Sequence, residues 1–183
     1  MLLITTPMCE KILEFGKIKE FKVNKNPDEE EGDLAILLSE SKVKMNSLAI
    51  KLNTFSQIKE SIIKVSTYSE NGEISDEEIK AIFSSYEIAS KWLYPTDKVL
   101  QLKEENSKNK VKVYSEFLKD IVKDMNFTIN NENYEYAIYP DYLKNIVKEK
   151  ENIKLIEIPT HNNVSKDPII RCEMRYDILE NIN

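Results

Sequence analysis

The sequence predicts an α/β protein built as two Rossmann-like lobes of parallel-rich sheet joined by a helical spacer. Three observations carry that reading. Short apolar runs alternate with amphipathic segments of helical period, an order that favours parallel strands linked by crossovers. The same order of elements occurs twice, once in each half. Between the halves, residues 75 to 105 keep a helical period with no strand-like run. The resulting division is 1–72 for the N-terminal lobe, 73–109 for the spacer and linker, and 110–183 for the C-terminal lobe. One continuous doubly wound sheet is the alternative.

The first strand is read at Leu2–Thr5. A helix starting near Met8 places Ile12, Leu13 and Phe15 on its core face, and Gly16 ends it. Ile18–Val23 is extended and precedes the turn-rich Asn24–Pro27. Asp33–Ser39 is almost wholly apolar and suits a strand buried on both faces. Leu48–Leu52 forms the next strand. It leads into Thr54-Phe55-Ser56-Gln57, a capping box that opens a helix with Ile58, Ile62 and Val65 on one face. Asn71-Gly72 marks a turn. Ser75-Asp76-Glu77-Glu78 is a second capping box, opening the longest helix, with Ile79, Ile82, Phe83, Tyr86, Ala89 and Leu93 in a stripe. Pro95 stops it, and Thr96 caps a shorter helix to about Glu105. Glu105–Asn109 is the linker candidate. The second half then reads strand Val111–Tyr114, helix Glu116–Met125, strand Tyr134–Tyr139, helix Asp141–Lys148, strand Ile153–Ile158 and a last helix from Pro168 to Glu180.

The halves align by order more than by identity. Leu2-Leu3-Ile4 corresponds to Val111-Lys112-Val113, Asp33–Leu37 to Glu135–Tyr139, and Ser47–Thr54 to Ile153–Thr160.

Composition narrows the function. The chain has 183 residues, 41% apolar and 32% charged, with a net charge of -6. An acidic chain lacks the basic surface that phosphate backbones require, so no nucleic-acid partner and no membrane partner are expected. No apolar run reaches the roughly 20 residues of a membrane span. No export signal is read at Met1–Ile4, and the two cysteines, Cys9 and Cys172, suit free thiols. A cytoplasmic protein is the expectation. Three glycines, at 16, 32 and 72, leave no dinucleotide fingerprint and no P-loop. A single histidine precludes a multi-histidine metal site, and no metal ligand set is read. No cofactor is identified.

Ligands of open parallel sheets bind beyond the carboxyl ends of the strands, at the switch in strand order. Those ends carry Thr5 and Thr6, Ser39 and Glu40, Asn53 and Thr54, Ser115, and then His161. Helix capping explains many such residues equally well. His161 follows the last strand, where a base or a ligand contact would serve; a surface histidine is the alternative. Cys9 stands at a helix start, which favours a thiolate; a small buried hydrophobe is the other reading. Arg171 and Arg175 are the only two arginines and stand four apart on the last helix. Their planar forks suit carboxylate or phosphate; a solvated face paired to carboxylates is the alternative. Tyr134, Tyr136, Tyr139 and Tyr142 read as packing. The acidic run Asp28–Asp33 lacks the spacing of a calcium loop.

Three stretches resemble a known family: Ile12–Lys19, Asp33–Leu37, and Ala49–Ile62. They are similar to the first helix and turn, the second-motif strand, and the strand–turn–helix of helical-backbone metal receptors of the periplasmic-binding type. Lobes of nitrogenase components share this layout. The resemblance covers about the first 66 residues and implies a cleft between two α/β lobes holding a metal chelate, a tetrapyrrole-like group or an oxyanion. The Lys, Ile, Asn and Glu bias resembles that of archaeal, methanogen-type proteins. Secreted members carry an export signal and are longer than this chain. The expected function is therefore binding of a small anionic or metal-chelate ligand. Alternatives are a cofactor-assembly enzyme using Cys9 or His161, and a non-catalytic subunit with a vestigial cleft, with a protein partner or a homo-oligomer.

Overall fold

The computed structural model describes residues 1–160 and 164–182. The chain divides into two compact units, Met1–Ala89 with Ser165–Cys172, and Ser90–Val164 with Glu173–Asn183. Each unit holds its own four-stranded, wholly parallel sheet, so two sheets form in place of one doubly wound sheet.

In the first unit, β1 (Leu3–Thr5), α1 (Glu10–Phe15), β2 (Phe21–Val23), β3 (Leu34–Leu38), β4 (Ser47–Ile50), α2 (Phe55–Ser66) and α3 (Asp76–Ser84) follow in order. Strand order is β2-β1-β3-β4. Ala35, Ile36 and Leu37 are buried, as expected of a strand covered on both faces. Ile12 and Leu13 of α1 and Ile58, Ile62 and Val65 of α2 complete this core. Gly16 ends α1 as expected, standing as its C-cap with φ -76°, and the left-handed residue follows it at Lys17, φ 63°. Gly16 is also needed for contact: a Cβ there would lie 2.9 Å from Val65 Cγ1 and 3.2 Å from the Ser66 nitrogen.

Thr54 caps α2 by accepting from the Gln57 N–H at 3.2 Å, and the Gln57 side chain accepts from the Asn53 N–H at 3.2 Å. The Ser75–Glu78 capping box closes in both directions. The helix it opens is shorter than its apolar stripe predicts. It stops at Ser84, and α4 (Glu87–Leu93) starts afresh. Ser84 and Ser85 both turn their hydroxyls back onto the Ala81 carbonyl, at 2.9 and 3.3 Å. Such back-bonding competes with continuation of the helix. The longest helix is α7 (Pro168–Glu180), whose first turn to Cys172 belongs to the first unit and whose remainder belongs to the second.

In the second unit, α5 (Asp97–Asn106) precedes β5 (Lys110–Val113), α6 (Glu116–Asp124), β6 (Thr128–Ile129), β7 (Tyr136–Pro140) and β8 (Lys154–Ile158). The stretch read as a linker is bound in place. Asn106 ends α5, is fully buried and donates to the Met125 carbonyl at 2.9 Å. Thr128 Oγ1 donates to the Ser107 carbonyl at 2.6 Å. The helix expected over Asp141–Lys148 is only a single 3-10 turn, Asp141–Leu143. Asp141 is engaged with Thr160, and Glu149 is drawn to strand β5, so the chain that follows takes its course from these side chains. Strand β6, only two residues long, has no recognisable sequence pattern.

The second sheet repeats the first, with order β6-β5-β7-β8. Registers match as well: Leu3 pairs Phe21 and Leu34, as Val111 pairs Ile129 and Tyr136. Leu37 pairs Ala49, as Tyr139 pairs Glu157. Helix α6 ends as α1 does, on a left-handed residue, Asn126 at φ 68°. In both, the next N–H returns to the helix at 2.9 Å: Ile18 to the Leu13 carbonyl and Phe127 to the Val122 carbonyl. No helix among the described residues is long and apolar enough to cross a membrane.

Candidate functional site

In each sheet the strand order reverses direction between two central strands, β1 and β3 in the first unit and β5 and β7 in the second. Parallel sheets bind ligands at the carboxyl side of that reversal, because the loops leave there in opposite directions and open a crevice.

In the first unit the strand ends carry Thr5, the last residue of β1, and Thr6 after it, Ser39 and Glu40 after β3, and Asn53 and Thr54 after β4. Thr5 is committed to structure, its hydroxyl donating to the Ile36 carbonyl at 2.8 Å. Ser39 and Glu40 are exposed and bonded to each other at 2.9 Å. Cys9 sits against the end of β3: its thiol meets the Thr6 hydroxyl and the Leu38 backbone and feels the charges of Arg171 and Glu40. Cys172 donates from Sγ to the Asn53 carbonyl at 3.5 Å. Both thiols are free and buried.

The burial of Cys9 favours the small-buried-hydrophobe reading over that of an activated thiolate. Burial pushes its pKa up and outweighs Thr6 and Arg171, which act the other way. A short helix cannot offset the loss of solvation of a thiolate in this position.

Arg171 is the unexpected member. Its residue is only 2% exposed, which replaces the solvated-face alternative with a buried guanidinium. Nη1 donates to the Ser165 carbonyl at 3.0 Å and the Lys166 carbonyl at 3.5 Å. Burial lowers its pKa, opposed by Cys9, Cys172 and Asp167. Among the described residues it forms no ion pair. Asp167, whose charge it feels, is itself engaged: it accepts from the Ile169 N–H at 2.8 Å, starting α7, and from the Tyr86 hydroxyl at 2.8 Å. A cavity of about 250 Å³ opens beside Asp167, lined also by Pro7, Glu10, Lys11, Glu14 and Lys166.

The second unit buries the other arginine. Arg175 is 6% exposed, donates from Nε to the Pro159 carbonyl at 3.3 Å and lies over the Phe117 ring, 5.0 Å from its centroid. Pro159 directly follows β8. The neighbouring Thr160 donates its N–H to Asp141 at 3.2 Å and its hydroxyl to the same carboxylate. Ser115 caps α6. His161 lies outside the described residues.

Sequence reading missed the roles of Phe117 and Asp141, which the fold of the second unit brings to Arg175 and Thr160. The reading also missed a cluster on the second sheet. Lys112 donates to Glu149 at 2.9 Å and to the Tyr134 hydroxyl at 3.2 Å, and the Tyr114 and Tyr134 hydroxyls both donate to Glu149. Burial pushes the Glu149 carboxyl up, but the two tyrosines and the ammonium outweigh it and hold it at about 2. Lys112 is raised, first by Tyr114 and then by Glu149. Among the described residues no group of three or more metal-ligating side chains forms. No protein-family model and no curated protein matches this chain.

Proposed function

We propose that this protein binds a small anionic ligand, an anionic metal chelate included, at the carboxyl ends of its parallel sheets. The observation that carries the reading is the burial of the chain's only two arginines, one in each unit. A guanidinium removed from water is costly unless an opposite charge or strong acceptors replace its hydration. Arg171 has carbonyl acceptors on one nitrogen and no ion pair among the described residues. A bound anion supplies acceptors for the remaining N–H groups, and arginine suits oxyanions better than lysine because two parallel N–H groups meet two oxygens. The resemblance of the first 66 residues to helical-backbone metal receptors supports the same class of ligand.

The test is thermal melting of the full chain against inorganic phosphate at constant ionic strength, for the parent protein, Arg171→Lys and Arg175→Lys. A ligand that prefers the native state raises the melting temperature by mass action. The expected result is a rise that is smaller in each variant, since lysine keeps the charge and loses the fork. Identical responses in all three proteins would overturn the reading.

A further inference from the structure

Independently of any ligand, we infer that this protein pairs with a second copy of itself through β8, antiparallel about Ile156, joining the second-unit sheets of the two copies edge to edge. β8 ends the order β6-β5-β7-β8 and is paired on one side only. Among the described edge strands it is the longest, with five residues against three in β2, four in β4 and two in β6. Short edges, and edges guarded by lysine, discourage pairing with another chain. β2 and β6 are short, and on β4 Lys64 donates to the outward Ala49 carbonyl at 3.4 Å.

The register of β8 shows which of its groups are free. Lys154 donates its N–H to the Glu135 carbonyl, on the β7 side, at 2.9 Å. By the period of two, Lys154, Ile156 and Ile158 bond to β7, while Leu155 and Glu157 turn both N–H and C=O outward. Among the described residues these outward groups have no partner. Leu155 is 48% exposed, and Tyr142 and Ile146 are 56% and 71% exposed in the segment that Lys144 ties to Glu157 at 3.0 Å. Exposed apolar side chains beside an unpaired edge suit a partner that covers both.

A second copy fits in one register. Two-fold pairing joins like faces of the sheet, so the axis passes through a residue of β8 and its own counterpart. Centred on Glu157, two carboxylates stand opposite each other. Leu155 then meets Pro159, which has no N–H and whose carbonyl accepts from Arg175. Centred on Leu155, Glu157 meets Ile153, whose N–H is already given to the Lys150 carbonyl. Centred on Ile156, Leu155 of each copy exchanges both backbone bonds with Glu157 of the other. All the outward groups are then used, and no like charges stand opposite each other. The Glu157 carboxylate brought beside Leu155 is neutralised by its own Lys144. With β8 paired on both sides the assembly closes as a dimer.

The test follows the full chain by sedimentation velocity over a concentration series reaching about 1 mM, with residue-by-residue amide exchange by NMR. The expected result is a concentration-dependent dimer. The N–H groups of Leu155 and Glu157 become protected as it forms, whereas those of Lys154 and Ile156 are protected throughout. Two variants at the exposed Leu155 fix the register. Leu155→Glu opposes like charges twice, and Leu155→Lys opposes unlike charges twice, so the first should dimerise about tenfold more weakly than the second. A contact that only buries Leu155, or sets it against its own counterpart, would weaken alike in both. Circular dichroism checks that each variant folds, and the exchange pattern of the parent stands without them. A monomer throughout the series, a dimer that leaves the Leu155 and Glu157 amides unprotected, or equal weakening by the two variants overturns the inference.

Discussion

Replacing Glu149 by Gln removes one charge from the cluster on the second sheet while keeping its shape. The parent carboxyl is held at about 2, against an ordinary value of 4.5. At 1.36 kcal/mol per pKa unit, that displacement corresponds to roughly 3 kcal/mol of preference for the charged form in the native state. Lys112, its cationic partner, is 29% exposed, so solvent screening lowers the expected loss to roughly 1–3 kcal/mol. For a chain of this length the melting temperature falls about 2–4 °C per kcal/mol, so the variant should melt roughly 3–10 °C lower near pH 7. The folded carboxyl is more acidic than the unfolded one, so its contribution is complete above the unfolded value and is lost as pH falls toward the folded one. Linkage between 4.5 and 2 takes about two fifths of it by a pH of roughly 3.5. The assay is thermal melting by circular dichroism of both proteins from near-neutral pH to that value. Equal melting near neutrality would refute the cluster as a stabilising contact. A difference that stayed constant on acidification would refute ionisation of Glu149 as its origin.

Gly16→Ala should destabilise the first unit by about 1–3 kcal/mol, because the new methyl group meets the Ser66 backbone at 3.2 Å as well as Val65, and backbone cannot turn aside. Urea unfolding measures this, and an unchanged midpoint would show that α1 and α2 separate easily. Lys17→Gly should instead stabilise by roughly 0.5–1 kcal/mol, since a left-handed φ of 63° is costly for a side-chain-bearing residue. The exposed pair with Glu78 that it gives up is worth little. A lower urea midpoint for this variant would show that the pair outweighs the backbone.

Much of this architecture could be read along the chain because its causes are local. Alternating strand and helix signals, the Ser75–Glu78 capping box and the Asp167-Pro168 start of α7 are satisfied within a few residues, so the pattern of residues alone indicates them. The repeat of element order was legible for the same reason, but its residue alignment was not: the sheet registers put Leu3 in the place of Val111, not Lys112, and Ser47 in the place of Leu155, not Ile153. Local signals failed where distant groups decide. Asp141–Lys148 has the composition of a helix, but Thr160 claims Asp141 at its start and the β5 cluster claims Glu149 just past its end. Asn106 looks like linker until its amide meets the Met125 carbonyl. The arginines show the division most sharply. Their type and spacing can be read from the sequence, and so can their suitability for an oxyanion. Burial, the thiols beside Arg171 and the aromatic ring under Arg175 depend on segments far apart in the chain. Desolvation is a property of everything packed around a group, so only the folded chain determines whether a cation is solvated or buried.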